Sequence, residues 1–199
     1  MKYKNFRIGF WHPFGPHSDE SAEHILMRKT KEAERNGWTL WSFQPRQTLL
    51  EWYRQIKITN PKKVFVFCSA GNGKDPVENG SPAINCSSYR FINNEKWFSI
   101  PKRIRVGHPF RSGKGNASAF IVQKVIHPIN SFDPPAVEWL SKEGNWQQGY
   151  QSKKGWVPRL PSRPEYLVRP GGTAKMGQVR AILELKSPYL AVVSTDLYE

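Results

Sequence analysis

The stretch that most constrains the fold is Lys62–Gly73, Lys-Lys-Val-Phe-Val-Phe-Cys-Ser-Ala-Gly-Asn-Gly. It is the most apolar short run in the chain. Pro61 precedes it and Gly71-Asn72-Gly73 closes it. A short run of β-branched and aromatic residues between a proline and a glycine turn reads as a buried strand. We place the central strand at Lys63–Ser69 and the other elements around it.

Before it, Phe6–Trp11 alternates as a strand, and the Pro/Gly segment from His12 to Pro16 is expected to end its pairing. Ser18-Asp19-Glu20 opens a helix whose acids lie early and whose bases (Lys29, Lys31, Arg35) lie late, as the helix dipole favours. Asn36-Gly37 stops it. Ala22, Ile25, Leu26 and Ala33 form its narrow apolar stripe, bridged by the stem of Lys29. Trp38–Phe43 is a second strand. Thr48 and Glu51 form a capping box for a second helix over Leu49–Ile58.

After the central strand, residues 71–82 read as a loop and Ala83–Ile92 as a strand with an irregular start. Trp97–Val106 reads as an edge strand, interrupted by Pro101. Ala117–His127 is the second strongest strand. Asp133-Pro134-Pro135 caps a short helix through Ala136, Val137, Trp139 and Leu140. Residues 145–163 show no regular pattern. Gln178–Leu185 and Tyr189–Ser194 read as a strand pair. Early helices between strands, followed by a β-rich remainder, give an α+β class rather than a doubly wound parallel sheet. The expected architecture is one domain, 1–199, on a curved or barrel-like mixed sheet with flanking helices.

Charge narrows the function. The 199 residues carry a formal net charge of +14, which favours polyanionic partners. Composition supplies a core, because 8 Trp, 7 Tyr and 11 Phe each bury a large area. Nothing approaches the 18 or so apolar residues of a membrane span. The N-terminus lacks a signal-peptide pattern. The expectation is a cytoplasmic protein without a membrane partner.

Motifs exclude more than they assign. Cys68 and Cys86 make no CxxC pair. The segment before Lys74 has Cys68 where a P-loop needs its first glycine and Asp75 where it needs Ser or Thr, so no Walker motif is present. Backbone amides of that turn could still hold a phosphate. His12, His17, His24, Glu20 and Glu23 match no metal-ligand spacing. Neither a metal nor a cofactor is expected, and no nucleophile elbow is present.

The positive signal is basic and aromatic. Between Lys96 and Phe132 stand Lys96, Lys102, Arg103, Arg105, Arg111, Lys114 and Lys124, with no acid. Trp97, Phe98, His108 and Phe110 interleave with them. Aromatic faces stack bases while Lys and Arg follow phosphates. On a strand Arg103 and Arg105 point to one side.

Asn36–Ser42, the helix at Thr48, Lys63–Ser69 with its Gly-Asn-Gly turn, and Ala117–His127 together resemble the PUA-like superfamily, which includes EVE, YTH and ASCH domains. The resemblance covers residues 36–127 and leaves residues 128–199, an expected helix and strand extension, without a counterpart. It implies a small barrel and nucleic-acid binding, often of a flipped, modified base in an aromatic cage. It would set Trp41 and Ser42 beside such a pocket and Ser69 and Asn72 at its rim.

The expected function is therefore binding of DNA or RNA. Arg103, Arg105, Arg111 and Lys114 would hold phosphates, with His108 in the same basic run, and Trp41 or Trp11 would stack on a base. Two alternatives stand beside it: a nucleic-acid hydrolase using His12, His17, Glu20 or His108, and a module whose basic face meets an acidic protein.

Overall fold

The computed structural model describes residues 6–17, 19–45, 49–61, 63–70, 84–110, 112–127, 138–140, 146–148, 158–161 and 179–197. Its strands are β1 (Phe6–Phe14), β2 (Thr39–Phe43), β3 (Val64–Ala70), β4 (Ser88–Phe91), β5 (Phe98–Ser99), β6 (Ala117–Ile126), β7 (Glu138–Leu140), β8 (Trp146–Gln148), β9 (Pro158–Pro161) and β10 (Val179–Ser194). Helix α1 spans Ala22–Asn36 and α2 spans Leu49–Thr59. The pairing is mostly antiparallel and the class is α+β. The chain forms two compact units, and both are discontinuous in sequence.

The first unit comprises Met1–Phe14, Leu50–Gly71 and Ile126–Glu184. Its strand order is β10, β3, β1, β9, β7, β8. The apolar run is central as expected. β3 lies between β1, parallel with Phe10 opposite Val66, and the first half of β10, antiparallel with Leu183 opposite Val66. Val64, Val66, Phe67 and Cys68 are completely buried. Trp52 of α2 packs on Phe10 with ring centroids 5.1 Å apart. Burial raises the Cys68 thiol pKa, so this cysteine is a packing group rather than a nucleophile.

The second unit comprises Gly15–Leu49, Asn72–Val125 and Leu185–Glu199. Here β2 pairs antiparallel with β6, β6 neighbours β10, the last part of β10 pairs with β4, and β4 pairs with β5. Among the described residues β2 and β5 each have one neighbour, so this sheet is open rather than closed into a barrel. Leu40, Ile104, Val106, Ala119, Ile121, Ala191 and Val193 form its core, with Cys86 among them. Helix α1 starts at Ser21, whose hydroxyl accepts from the His24 N–H. It ends at Gly37, with φ of 72°.

Several expectations are corrected. Pairing of β1 continues through Pro13 and Phe14. Parallel partners alternate in which backbone groups they engage, so one proline need not end the ladder. Residues 138–140 form β7, held between β8 and β9, where a helix through Ala136, Val137, Trp139 and Leu140 was expected; strand pairing overrides a short helical pattern. The C-terminal strands are one long β10, not a hairpin: Val179–Ser194 runs as a single strand through Tyr189, at φ 72°. Only Phe98–Ser99 of the expected strand Trp97–Val106 is a strand. Pro101 accepts from the Ile104 N–H at 2.8 Å, which turns the chain through Lys102 and Arg103. Thr48 of the capping box lies outside the described residues.

A Cβ on Gly37 would meet nothing within 4 Å, so only its backbone conformation resists substitution. Gly37→Ala is expected to cost about 1–2 kcal/mol, read as the free energy of urea unfolding. An unchanged value would contradict the cap geometry.

Candidate functional site

The site is built where α1 meets the turn that Pro101 begins. Residues 104–108 run extended beside 84–86: the Cys86 N–H donates to Val106 O and the His108 N–H to Ile84 O, each at 2.7 Å. Alternation then buries Ile104 and Val106 in the core and turns Arg105 to the other side.

On that side α1 grips the chain. Glu32 is 6% exposed and all four of its acceptor positions are used. Its Oε1 accepts from Arg28 Nη1 at 2.9 Å and from the Arg105 N–H at 3.1 Å. Its Oε2 accepts from Lys29 Nζ at 2.8 Å and from the Thr39 hydroxyl. Lys29, 4% exposed, spends its three donors on Glu32, on Thr39 Oγ1 at 3.2 Å and on Arg105 O at 2.6 Å. Arg28 Nη1 reaches Arg105 O as well, at 2.8 Å. The same guanidinium makes a bidentate pair with Glu20, at 2.8 and 2.7 Å, the strong geometry for such pairs. Arg105 extends to Asp19 at 3.1 Å and to Asn85 Oδ1 at 3.3 Å.

Three cations, Arg28, Lys29 and Arg105, thus meet three carboxylates, Asp19, Glu20 and Glu32. Their titration reflects this. Burial pulls the Lys29 pKa down to about 8. Burial raises Glu32, but Lys29 and the hydrogen bonds from Lys29, Thr39 and Arg105 outweigh it and hold it below the usual range. The hydrogen bonds from Arg28 lower Glu20.

Over this neutral base lies a groove of about 530 Å³, lined by both partners. Helix α1 contributes His24, Met27, Lys31 and Arg35, and the turn contributes Lys102 and Arg103. Lys31 and Arg35 stand four residues apart, hence on one face of α1. Lys31, Arg35, Lys102 and Arg103 are all exposed. Among the described residues no carboxylate forms an ion pair with any of these four.

The residues expected from sequence scatter. Arg103 lines the groove, as does Arg105, though its guanidinium is tied to Asp19 and Glu20. The two do not share a strand face, because Arg103 sits in the turn. His108 is completely buried. Its Nδ1 accepts from the Phe110 N–H at 3.2 Å and its Nε2 lies 2.9 Å from Gly115 O. It staples the loop that carries Lys114, which is exposed. Trp41 is 5% exposed, so its ring is packed in the protein rather than offered to a base. The Ser42 hydroxyl donates to Gly107 O. Trp11 lies in β1 opposite Phe67, and Ser69 in β3 opposite Pro13; only their backbones are described. Asn72 and Arg111 lie outside the described residues.

For the hydrolase alternative, Glu20 is a carboxylate held ionised by Arg28, which makes it a weak base. His17 is half-buried and bridges to Glu20 through backbone, and burial lowers its pKa. His12 lies in β1 opposite Cys68. No group of three or more metal-ligating side chains occurs among the described residues, and no helix among them is long and apolar enough to cross a membrane.

The sequence did not single out Lys31 and Arg35 as groove residues. Their i, i+4 spacing was readable; that α1 lies beside residues 101–105 was not.

Lys29 gives a pH signature. Its folded pKa is depressed, so the unfolded chain binds more protons and stability rises with pH from about 8 to 10.5. Between pH 7.5 and 9.5 the wild type should gain on the order of 1–2 kcal/mol relative to Lys29→Met, measured by urea unfolding at both values. Parallel profiles would contradict a buried, charged Lys29.

Comparison with protein-family models, with curated proteins and with solved structures found no match to this chain.

Proposed function

We propose that the protein binds nucleic acid through the groove between α1 and the Pro101–Arg105 turn. The observation that carries this reading is the separation of charge. Every described carboxylate lining the groove is already paired, while Lys31, Arg35, Lys102 and Arg103 face solvent. Four exposed cations around one concavity form an electrostatic footprint for successive phosphates. They hold the backbone and carry no base specificity by themselves.

The PUA-like resemblance, with its curved sheet, belongs to the same proposal and agrees with a nucleic-acid ligand. A cage for a modified base around Trp41 draws no support from a ring so deeply packed. An acidic protein is the competing partner for such a face, and salt dependence alone does not separate the two, so the test uses an oligonucleotide directly.

Fluorescence anisotropy of a labelled oligonucleotide across a salt series checks the reading. The wild type is expected to bind with an affinity that falls steeply as salt rises. Replacing Lys102 and Arg103 together by alanine should remove two phosphate contacts. The slope of log K against log salt should then flatten by about 1.4 for a single strand, at roughly 0.7 per contact. No binding at low salt, or an unchanged slope, would overturn the proposal.

A further inference from the structure

Beside the groove lies a cluster of rings that the phosphate contacts do not use. Tyr89 of β4 is its centre. Its ring centroid lies 5.6 Å from those of Trp38, Phe91 and Phe98, and Phe91 and Phe98 are 5.9 Å apart. Trp38, Tyr89 and Phe91 pack against the core of the second unit, yet each of these rings is only half-buried. Trp97 is half-buried too. Two cations stand over rings of this segment: Arg90 is 5.5 Å from the Trp97 ring, next to Phe98 in the chain, and Lys96 is 5.5 Å from the Phe98 ring.

Chain connectivity ties this cluster to the groove at two points. Arg35 of the groove is three residues from Trp38, and Phe98 is four residues from Lys102. Consecutive Cα atoms are about 3.8 Å apart, so these links span at most about 11 and 15 Å. Among the described residues β5 pairs with β4 alone, which leaves the β4–β5 ribbon at a sheet edge. From Ser88 to Arg103 the only acid is Glu95, against Arg90, Lys96, Lys102 and Arg103.

We infer that the ligand is a single-stranded nucleic acid, with its phosphates in the groove and its bases stacked on the Tyr89, Trp97 and Phe98 surface. This rests on the phosphate-binding reading and specifies its substrate class. A duplex keeps its bases stacked on one another and offers no face to such rings. A single strand offers one per nucleotide, and aromatic stacking accepts every base. The arrangement divides the work: cations hold the strand without reading it, and the rings select for unpaired bases.

The test uses the full-length wild-type protein and four probes of equal length: a single-stranded DNA, the same sequence as RNA, the DNA duplex, and the single-stranded DNA carrying abasic sites in place of its central bases. Anisotropy titrations are run at one low salt concentration. The single strands are expected to bind at least tenfold tighter than the duplex. The abasic strand should lose roughly 5- to 100-fold in affinity, the size expected for base–aromatic stacking. The DNA and RNA arms show which sugar is preferred. Tyr89→Leu and Trp97→Leu, which keep apolar bulk and remove the π-face, should weaken the intact strand while leaving the salt slope unchanged. Equal affinity for intact and abasic strands, or duplex binding as tight as single-strand binding, would overturn the inference and leave the groove intact as a phosphate site. Absence of binding to every probe would remove the phosphate-binding reading itself.

Discussion

The second unit depends on one buried carboxylate. Glu32 draws α1, the start of β2 and the chain at Arg105 onto a single point, through Arg28, Lys29, Thr39 and the Arg105 amide. A carboxylate removed from water is costly unless its acceptor positions are filled. Here all are filled, and three of the four donors arrive from side chains on two separate elements. The consequence is positional. The carbonyl and amide of Arg105 are both held by α1, so the turn from Pro101 to Ile104 is anchored on one side by this polar network and on the other by Ile104 in the core.

That anchoring decides which cations are available. Arg28, Lys29 and Arg105 are absorbed by Asp19, Glu20 and Glu32. Lys31, Arg35, Lys102 and Arg103 remain at the surface, above an internally neutral layer. The layer consumes the carboxylates that line the groove, Glu20 and Glu32, and ties the turn to α1 through the Arg105 amide and carbonyl. Exposed Lys and Arg contribute little to stability on their own, and this is the ground for proposing that their concentration around one groove serves an anionic ligand.

The sheet order was readable in part. The Val64–Phe67 run, the Thr39–Phe43 and Ala117–Ile126 strands and both helices declared themselves through apolar pattern, prolines and, for α1, the Asn36-Gly37 stop, because each is decided within its own sequence; α1 is capped by Ser21 rather than opened at Ser18. The pairing of β1 through Pro13, the conversion of residues 138–140 to a strand and the union of the last two strands into β10 depend on partners far away in the chain. The basic run was visible too, but not its division of labour. A string of letters places Arg103 and Arg105 two apart and invites one face for both. Pro101 turns the chain instead, and Glu20 and Asp19, more than eighty residues earlier, claim Arg105. His108 and Trp41 carried functional chemistry by type, yet both are packed inside. The half-buried rings of Tyr89 and Phe91 gave no signal beyond ordinary strand residues.

In the proposed function α1 and the 101–105 turn form one ligand surface. Hydrogen exchange of the intact protein, followed by mass spectrometry with and without a saturating single-stranded oligonucleotide, tests it most directly. Slowed exchange is expected in two segments distant in sequence, residues 31–38 and 97–105. Protection confined to other parts of the chain, or none at saturating oligonucleotide, would contradict it.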